Sequence, residues 1–87
     1  MYDYKIERAE LFTDDGQKMF IQIRDNVLNL LRQSGAVRMQ EAIKGATGSS
    51  WKMLACVDRM VELGELVELT KENEVAGQYR VFISSKF

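Results

Sequence analysis

The sequence predicts a single α+β domain in which three helices precede an antiparallel hairpin. Two long helices are indicated by apolar residues that recur at steps of three and four, the spacing that collects side chains on one side of a helix. A short helix and a glycine-bearing turn lie between them. Two segments rich in β-forming residues follow, joined by a polar loop. The predicted bounds are residues 14–33, 39–44 and 50–63 for the helices and residues 65–70 and 78–84 for the hairpin.

Length and composition fit one small globular domain. The chain has 87 residues, of which 46% are apolar and 29% charged, enough for one modest core. No apolar run reaches the roughly 18 residues of a membrane span, and the first ten residues contain no hydrophobic signal core. A single cysteine cannot form an internal disulfide, which fits a reducing compartment. We therefore expect a cytoplasmic protein without membrane contact, with an arm over residues 1–12 and a core over residues 13–84.

The N-terminal arm shows the period of a strand. Tyr2, Tyr4 and Ile6 alternate with Asp3 and Lys5, so a half-buried strand is predicted here. Such a strand could join the hairpin sheet or pair with a second chain, which would make a homodimer. An arm that packs on its own domain is the alternative.

The first long helix has clear end signals. Thr13 can cap its first free amides, and Asp14 and Asp15 place negative charge where the helix dipole favours it. Ser34 and Gly35 then end the helix, and the three residues that follow predict a brief strand. The apolar stripe of this first long helix consists of Met19, Phe20, Ile23, Val27, Leu30 and Leu31.

The segment from residue 39 to residue 64 predicts a helix-turn-helix. Two glycines, Gly45 and Gly48, permit the positive φ values that such a turn often requires. Ser49 or Ser50 can cap the second helix, and Gly64 suits its C-terminal end. The core side is predicted to carry Met53, Cys56, Val57, Met60 and Val61. The side open to a partner is predicted to carry Trp51, Lys52, Ala55, Asp58, Arg59 and Glu62.

A helix-turn-helix followed by a hairpin has the outline of a winged helix, and four segments carry a resemblance to one family. They are VLNLL at 27–31, EAI at 41–43, VDRMVELGEL at 57–66 and QYRVF at 78–82. Residues 27–83 resemble the winged helix-turn-helix domain of small bacterial transcriptional regulators. The resemblance implies an α+β winged fold, DNA binding and a role in transcription regulation.

Catalytic and metal chemistry find no support in the residue types present. The chain has no histidine, and its one cysteine, Cys56, lies on the apolar side of its helix without a local base. The run from Asp14 to Gly16 lacks the alternating oxygen ligands of a calcium loop. The turn glycines lack the lysine and hydroxyl of a phosphate loop. We expect no enzyme, no metal and no cofactor.

Two functions remain open, and the first is DNA binding. A transcriptional regulator would insert the second helix of the helix-turn-helix into the major groove of duplex DNA. The predicted groove residues are Ser49, Ser50, Trp51, Lys52, Ala55 and Arg59, and Lys71 and Arg80 are predicted to contact phosphates beside the hairpin. Arg59 or Lys52 could read guanine.

The second function is protein interaction without DNA, with Trp51 as the anchor for another polypeptide. Residues 49–83 hold four basic side chains against six acidic ones. The whole chain has 12 Lys and Arg against 13 Asp and Glu, a net charge of −1. This balance favours protein interaction, because nucleic-acid binders usually carry basic excess. The family resemblance favours DNA, since a local basic cluster can bind DNA despite a neutral total.

Overall fold

A computed structural model of the chain describes residues 1–70 and 75–85, and it shows an α+β arrangement of four α-helices and one three-stranded sheet. The predicted α+β class is therefore confirmed, and the described residues form four α-helices where three were predicted. In chain order the elements are α1 (Tyr4–Glu7), a 3-10 helix (Arg8–Phe12), α2 (Asp14–Ser34), β1 (Ala36–Arg38), α3 (Met39–Ala42), α4 (Ser50–Glu62), β2 (Leu66–Glu68), a second 3-10 helix (Gly77–Tyr79) and β3 (Val81–Ser84).

The three strands form an antiparallel sheet with the order β1, β3, β2. Val37 lies opposite Phe82 on the inner face of the sheet, and Val67 lies opposite Ile83 on the outer face. The brief strand predicted after the first long helix is present as β1. The hairpin strands are shorter than predicted, because a 3-10 turn occupies the start of the second one. Of the predicted loop between them, residues 71–74 lie outside the described part of the chain.

Helix α2 begins and ends as predicted. The Thr13 hydroxyl oxygen accepts a hydrogen bond from the backbone N–H of Gly16 at 3.0 Å, which satisfies one of the free amides of the first turn. The helix ends at Gly35. Its apolar stripe packs on α4, and Ile23 and Val27 are fully buried.

The predicted N-terminal strand is wrong, because residues 4–12 are helical. The side chain of Asp3 accepts a hydrogen bond from the backbone N–H of Lys5 at 3.0 Å and so caps α1. A helical turn also lets the hydroxyls of Tyr2 and Tyr4 reach carboxylates of α4, whereas Ile6, which a strand would have half buried, is 70% exposed. The arm therefore packs on its own domain.

One hydrophobic core lies between α2, α4 and the inner face of the sheet. The core side predicted for α4 is correct in four of five positions, and the fifth, Val61, is partly buried. Leu11 of the first 3-10 helix joins the same core, which anchors the end of the arm. The buried apolar residues are Leu11, Ile23, Val27, Val37, Met39, Ala42, Met53, Ala55, Cys56, Val57, Met60, Leu66 and Phe82.

Candidate nucleic-acid interface

The turn between α3 and α4 is fixed by backbone geometry and by one side chain of α2. Gly45 and Gly48 have φ values of 86° and 117°, which side chains with a Cβ rarely adopt. The Asn26 side-chain amide donates hydrogen bonds to the backbone oxygens of Glu41 at 3.0 Å and of Ala42 at 2.9 Å. These bonds satisfy carbonyls at the end of α3 and hold it on α2. Sequence analysis did not single out Asn26, because its partners lie on another helix.

The first turn of α4 is the exposed part of this helix. Ser49 is the N-cap, since its hydroxyl oxygen accepts from the backbone N–H of Lys52 at 3.5 Å. Ser50 is exposed, and Trp51 is 44% exposed. Lys52 is half-buried. The four residues predicted at the start of the binding helix therefore lie together at one end of α4.

The placement of Ala55 on the open side of α4 is wrong. Its exposed fraction is 0%, because the first 3-10 helix packs on α4 and closes that side. Leu11 of the 3-10 helix, itself 1% exposed, belongs to the same buried cluster. Helical spacing alone assigned Ala55 to a polar side, and a segment more than 40 positions earlier in the chain covers it.

The arm also covers the second half of α4. The Tyr2 hydroxyl donates to Oδ2 of Asp58 at 2.6 Å, and the Tyr4 hydroxyl donates to Oε1 of Glu62 at 2.9 Å. Nε of Arg8 donates to the same Glu62 carboxylate at 2.9 Å. Three arm residues thus bind two carboxylates that sequence analysis assigned to a partner.

Arg59, predicted as a possible guanine reader, is engaged within the chain. Its guanidinium pairs with Glu62 on the same helix. The guanidinium also lies 5.3 Å from the ring centroid of Phe12, and that of Arg8 lies 5.0 Å from the same centroid. Arg59 therefore contacts the arm through the cation–π contact with Phe12, whereas its ion pair lies within α4.

The contacts around Glu62 change its acidity. Hydrogen bonds from Arg8, Tyr4 and Arg59 lower the pKa of Glu62 to about 2, because each one stabilises the ionised carboxylate. Burial, together with the hydrogen bond to Glu62, raises the pKa of Tyr4 to about 12. Glu62 is thus a charged acceptor at neutral pH, shared by three donors.

Arg80, predicted to contact a phosphate, is bound to two carboxylates. Its Nη2 lies 2.6 Å from Oδ1 of Asp58 and 2.8 Å from Oε1 of Glu68, and its side chain is 19% exposed. The Thr70 hydroxyl donates to Glu68 at 2.7 Å. The hydrogen bond from Arg80 lowers the pKa of Glu68. Arg80 therefore links α4 to the sheet. Lys71, the other predicted phosphate contact, lies outside the described residues.

The described carboxylates of α4 and the hairpin are paired with arginines, two of which come from elsewhere in the chain. The described residues between 49 and 83 contain four carboxylates, and each one is paired with an arginine. Two of the pairing arginines, Arg8 and Arg24, precede that segment; Arg24 binds Glu65 at 2.6 Å. Together with the basic residues of the described segment, these two arginines make five cations against four carboxylates. Lys52 is the one of the five that has no ion pair with these carboxylates. Glu72 and Glu74, the other two acidic residues counted against nucleic-acid binding, lie outside the described residues.

Two lysines lie beside the exposed first turn of α4, and a third lies in the turn that precedes this helix. Lys18 and Lys52 line an open groove of about 370 Å³ between α2 and the turn, with Asp15 as its only lining carboxylate. Lys44 lines a smaller groove that shares Gln22 with the first. Among the described residues none of these three ammonium groups has an ion-pair partner. Sequence analysis missed Lys18, because only the fold brings α2 beside the start of α4, and it did not single out Lys44 in the turn before that helix.

Other features of the described residues offer no competing site. Cys56 is fully buried, as predicted, and burial raises the pKa of its thiol to about 11, which disfavours the reactive thiolate. Within residues 1–70 and 75–85 no group of acidic and cysteine side chains could hold a metal ion. No helix in that part of the chain is both long and apolar enough to cross a membrane.

Comparison with known proteins adds no relative to this description. No family model, no curated protein and no solved structure matches the chain. The surface defined by Ser49, Ser50, Trp51 and the three lysines Lys18, Lys44 and Lys52, here called the α4 start surface, is therefore characterised by its own geometry and charge.

Proposed function

We propose that this chain is a DNA-binding winged helix domain of a transcriptional regulator, acting in the cytoplasm, that docks its α4 start surface on duplex DNA. The observation that carries the proposal is the position of three lysines without ion-pair partners among the described residues. Lys18 and Lys52 line the groove beside the exposed start of α4, and Lys44 lies in the bend between α3 and α4.

The element order supports this assignment. Helices α3 and α4 with their glycine turn form a helix-turn-helix, and strands β2 and β3 form the hairpin of a wing. In DNA-bound helix-turn-helix domains the N-terminal residues of the second helix contact base edges. That part of α4 is the part which the arm leaves open. The covered second half of α4 would then serve to orient the helix.

The side chains divide into two roles. Ser50 and Trp51 are exposed at the tip of α4 and would approach base edges. Lys18, Lys44 and Lys52 flank the tip and would contact phosphates, which supply most of the affinity in non-specific binding. Arg80 would hold α4 in place through its ion pairs with Asp58 and Glu68. Arg59 would contact the Phe12 ring of the arm, and neither arginine would touch DNA.

Salt-dependent binding to duplex DNA tests the proposal. Fluorescence anisotropy with labelled random and genomic duplexes is expected to show weak binding, with a slope of log K against log salt of about −3 for three phosphate contacts. The variant Lys18→Gln/Lys44→Gln/Lys52→Gln should lose nearly all of this slope. A control with the same charge change, Lys5→Gln/Arg32→Gln/Arg38→Gln, alters three exposed cations elsewhere and should keep it. Absence of binding at low salt, or equal losses in both variants, would reject DNA as the ligand.

A protein-interaction module is the second candidate, and exposed apolar side chains favour it. Trp51 is 44% exposed, and on the outer face of the sheet Val67 and Leu69 are 46% and 57% exposed. Such side chains can anchor a polypeptide or a second copy of the chain. Sedimentation of the free protein over a range of concentrations tests the homodimer, and the anisotropy experiment separates this candidate from DNA binding.

A further inference from the structure

We infer that the outer face of α2 is a docking surface for a second copy of the chain, which pairs through its own α2 in the antiparallel direction. This face is defined by Asp14, Lys18, Ile21, Asp25 and Arg32. Such a dimer does not depend on DNA binding, so it goes beyond the proposed function. An exposed isoleucine and the order of the charges around it indicate the pairing.

The outer face of α2 points away from the core. Asp14 and Arg32 each lie nine residues from the buried Ile23, and nine steps of about 100° bring a side chain to the opposite side of a helix. The other three residues of the face fall within about 40° of the same direction. All five are exposed to solvent. Helix α2 therefore has an open side that runs for about 27 Å, opposite the side that packs on the core.

Ile21 is the large apolar side chain of this face. It is 57% exposed near the middle of a helix of 21 residues. An aliphatic side chain in this position stabilises nothing in the isolated chain, because it leaves water only when another surface covers it. Single exposed apolar residues are common on protein surfaces. The charges beside Ile21 therefore determine which surface can cover it.

The charges along the outer face alternate in sign. In chain order they are acidic at Asp14, basic at Lys18, acidic at Asp25 and basic at Arg32. None of the four makes an ion pair with another described residue. Nε of Arg32 donates a long hydrogen bond, 3.4 Å, to the backbone oxygen of Leu28. A face with two charges of each sign does not suit a phosphate backbone, whereas it suits a surface that carries the same charges in the opposite order.

The outer face is complementary to itself when one copy is reversed. At a rise of about 1.5 Å per residue, an antiparallel pair centred near residue 22 brings Asp14 of one copy within about 3 Å, along the axis, of Arg32 of the second copy. Lys18 comes equally close to Asp25 of the second copy, and two-fold symmetry repeats both pairs. The two Ile21 side chains meet between them. A parallel pair would place each charge beside its own equivalent, and like charges repel.

The dimer should be weak. One helix face per copy buries less than the roughly 800 Å² per partner of a standard interface. Association is therefore expected at high protein concentration, and it should weaken as salt screens the exposed charges. Lys18 also lines the groove of the α4 start surface, so dimer formation would withdraw this lysine from phosphate contact.

Two charge-reversal variants test the antiparallel pairing. Sedimentation equilibrium of wild type at low salt, up to millimolar concentration, should show monomer and dimer. Lys18→Glu and Asp25→Lys should each raise the dissociation constant of the dimer about tenfold, because each turns two attractive pairs into two repulsive ones. An equimolar mixture of the two variants should associate about as well as wild type, since the introduced glutamate of one then meets the introduced lysine of the other.

Controls and contrary outcomes are equally defined. Lys5→Glu and Glu41→Lys reverse exposed charges outside this face and should leave association unchanged. Ile21→Gln should weaken association, because the apolar contact is lost. Circular dichroism should show all these variants folded, as they alter exposed side chains. A wild type that stays monomeric at millimolar concentration would overturn the inference, as would a mixture that associates no better than its components. Association that Val67→Lys abolishes and both α2 variants leave intact would assign the dimer to the sheet instead.

Discussion

Arg80, the residue before β3, and Asp58, in the middle of α4, form an ion pair in which Nη2 of Arg80 lies 2.6 Å from Oδ1 of Asp58. The same nitrogen lies 2.8 Å from Oε1 of Glu68 in β2, and the Tyr2 hydroxyl donates to Oδ2 of Asp58. One guanidinium therefore connects α4 with β2 and with the start of β3, and through Asp58 it is also linked to the arm. The orientation of α4 relative to the sheet depends on this link.

Replacing Arg80 by methionine should destabilise the fold by about 3 kcal/mol, because removing one partner of a partly buried ion pair leaves the carboxylates uncompensated. Urea unfolding followed by circular dichroism measures the change. Arg38→Met is the matched control, since Arg38 is an exposed arginine in the same sheet and should change stability by less than about 0.5 kcal/mol. Equal effects of the two substitutions would show that the Arg80 link contributes nothing to stability.

The packing of the arm on α4 should depend on pH, because the arm contacts the ionised carboxylate of Glu62. Its folded pKa of about 2 lies below the ordinary value of 4.5, so its contribution is complete above about pH 4.5 and is lost as the pH falls toward 2. We expect Glu62→Gln to lower Tm at pH 7, and we expect the Tm difference from wild type to shrink steadily between about pH 4.5 and pH 2. Thermal unfolding of both proteins across that range measures it. A difference that stays constant to pH 2 would show that the donors do not depend on the charge of Glu62.

Gly16→Ala should be strongly destabilising, although alanine is ordinarily the better helix residue. A Cβ at position 16 would lie 2.7 Å from Cα of Leu11 and would clash with the backbone oxygen of Glu10, so the 3-10 helix would have to move. Overpacking of this kind costs about 1–3 kcal/mol. Gly77→Ala is the control, because nothing lies within 4 Å of a Cβ at that position. Chemical unfolding of both variants should show a large loss only for the first.

The fluorescence of Trp51, the one tryptophan, should report an exposed indole. With 44% of its surface exposed, the side chain should emit at long wavelength and be quenched by iodide in the folded protein. Trp51→Ala should change the free energy of unfolding by less than about 1 kcal/mol, since little apolar area leaves the core. Resistance to iodide, or an unfolded alanine variant, would place the indole in the core.

Cys56 should be unreactive in the folded protein. The residue is fully buried, and burial raises the pKa of its thiol to about 11. At pH 8 a reagent therefore cannot easily reach the sulfur, and little of the thiol is in the reactive thiolate form. A thiol reagent such as Ellman's reagent should react slowly with the native protein and rapidly in denaturant. Fast labelling of the native protein would show that α4 separates readily from the core.

Much of the fold was predictable because its signals are local. The Thr13 cap, the stop after Ser34 and the cap at Ser49 or Ser50 each involve groups within a few residues of one another. The core side of α4 follows from helical period alone. The local signal failed in the arm, where five alternating residues predicted a strand. The Asp3 cap and the reach of the two tyrosine hydroxyls to α4 favoured a helical turn instead.

The sequence by itself determined the two long helices, the short helix between them, the turn glycines and the α+β class, since these depend on periodicity and capping over short spans. Tertiary structure alone decided which part of α4 is exposed to solvent and which charged side chains have no ion-pair partner among the described residues. Tyr2 meets Asp58, and Arg24 meets Glu65, across 56 and 41 positions of the chain. Pairings at such separations are set by how the elements pack and leave no periodic trace in the sequence. For this reason the covered side of α4, the neutralised carboxylates and the three lysines at its start appeared only in the folded chain.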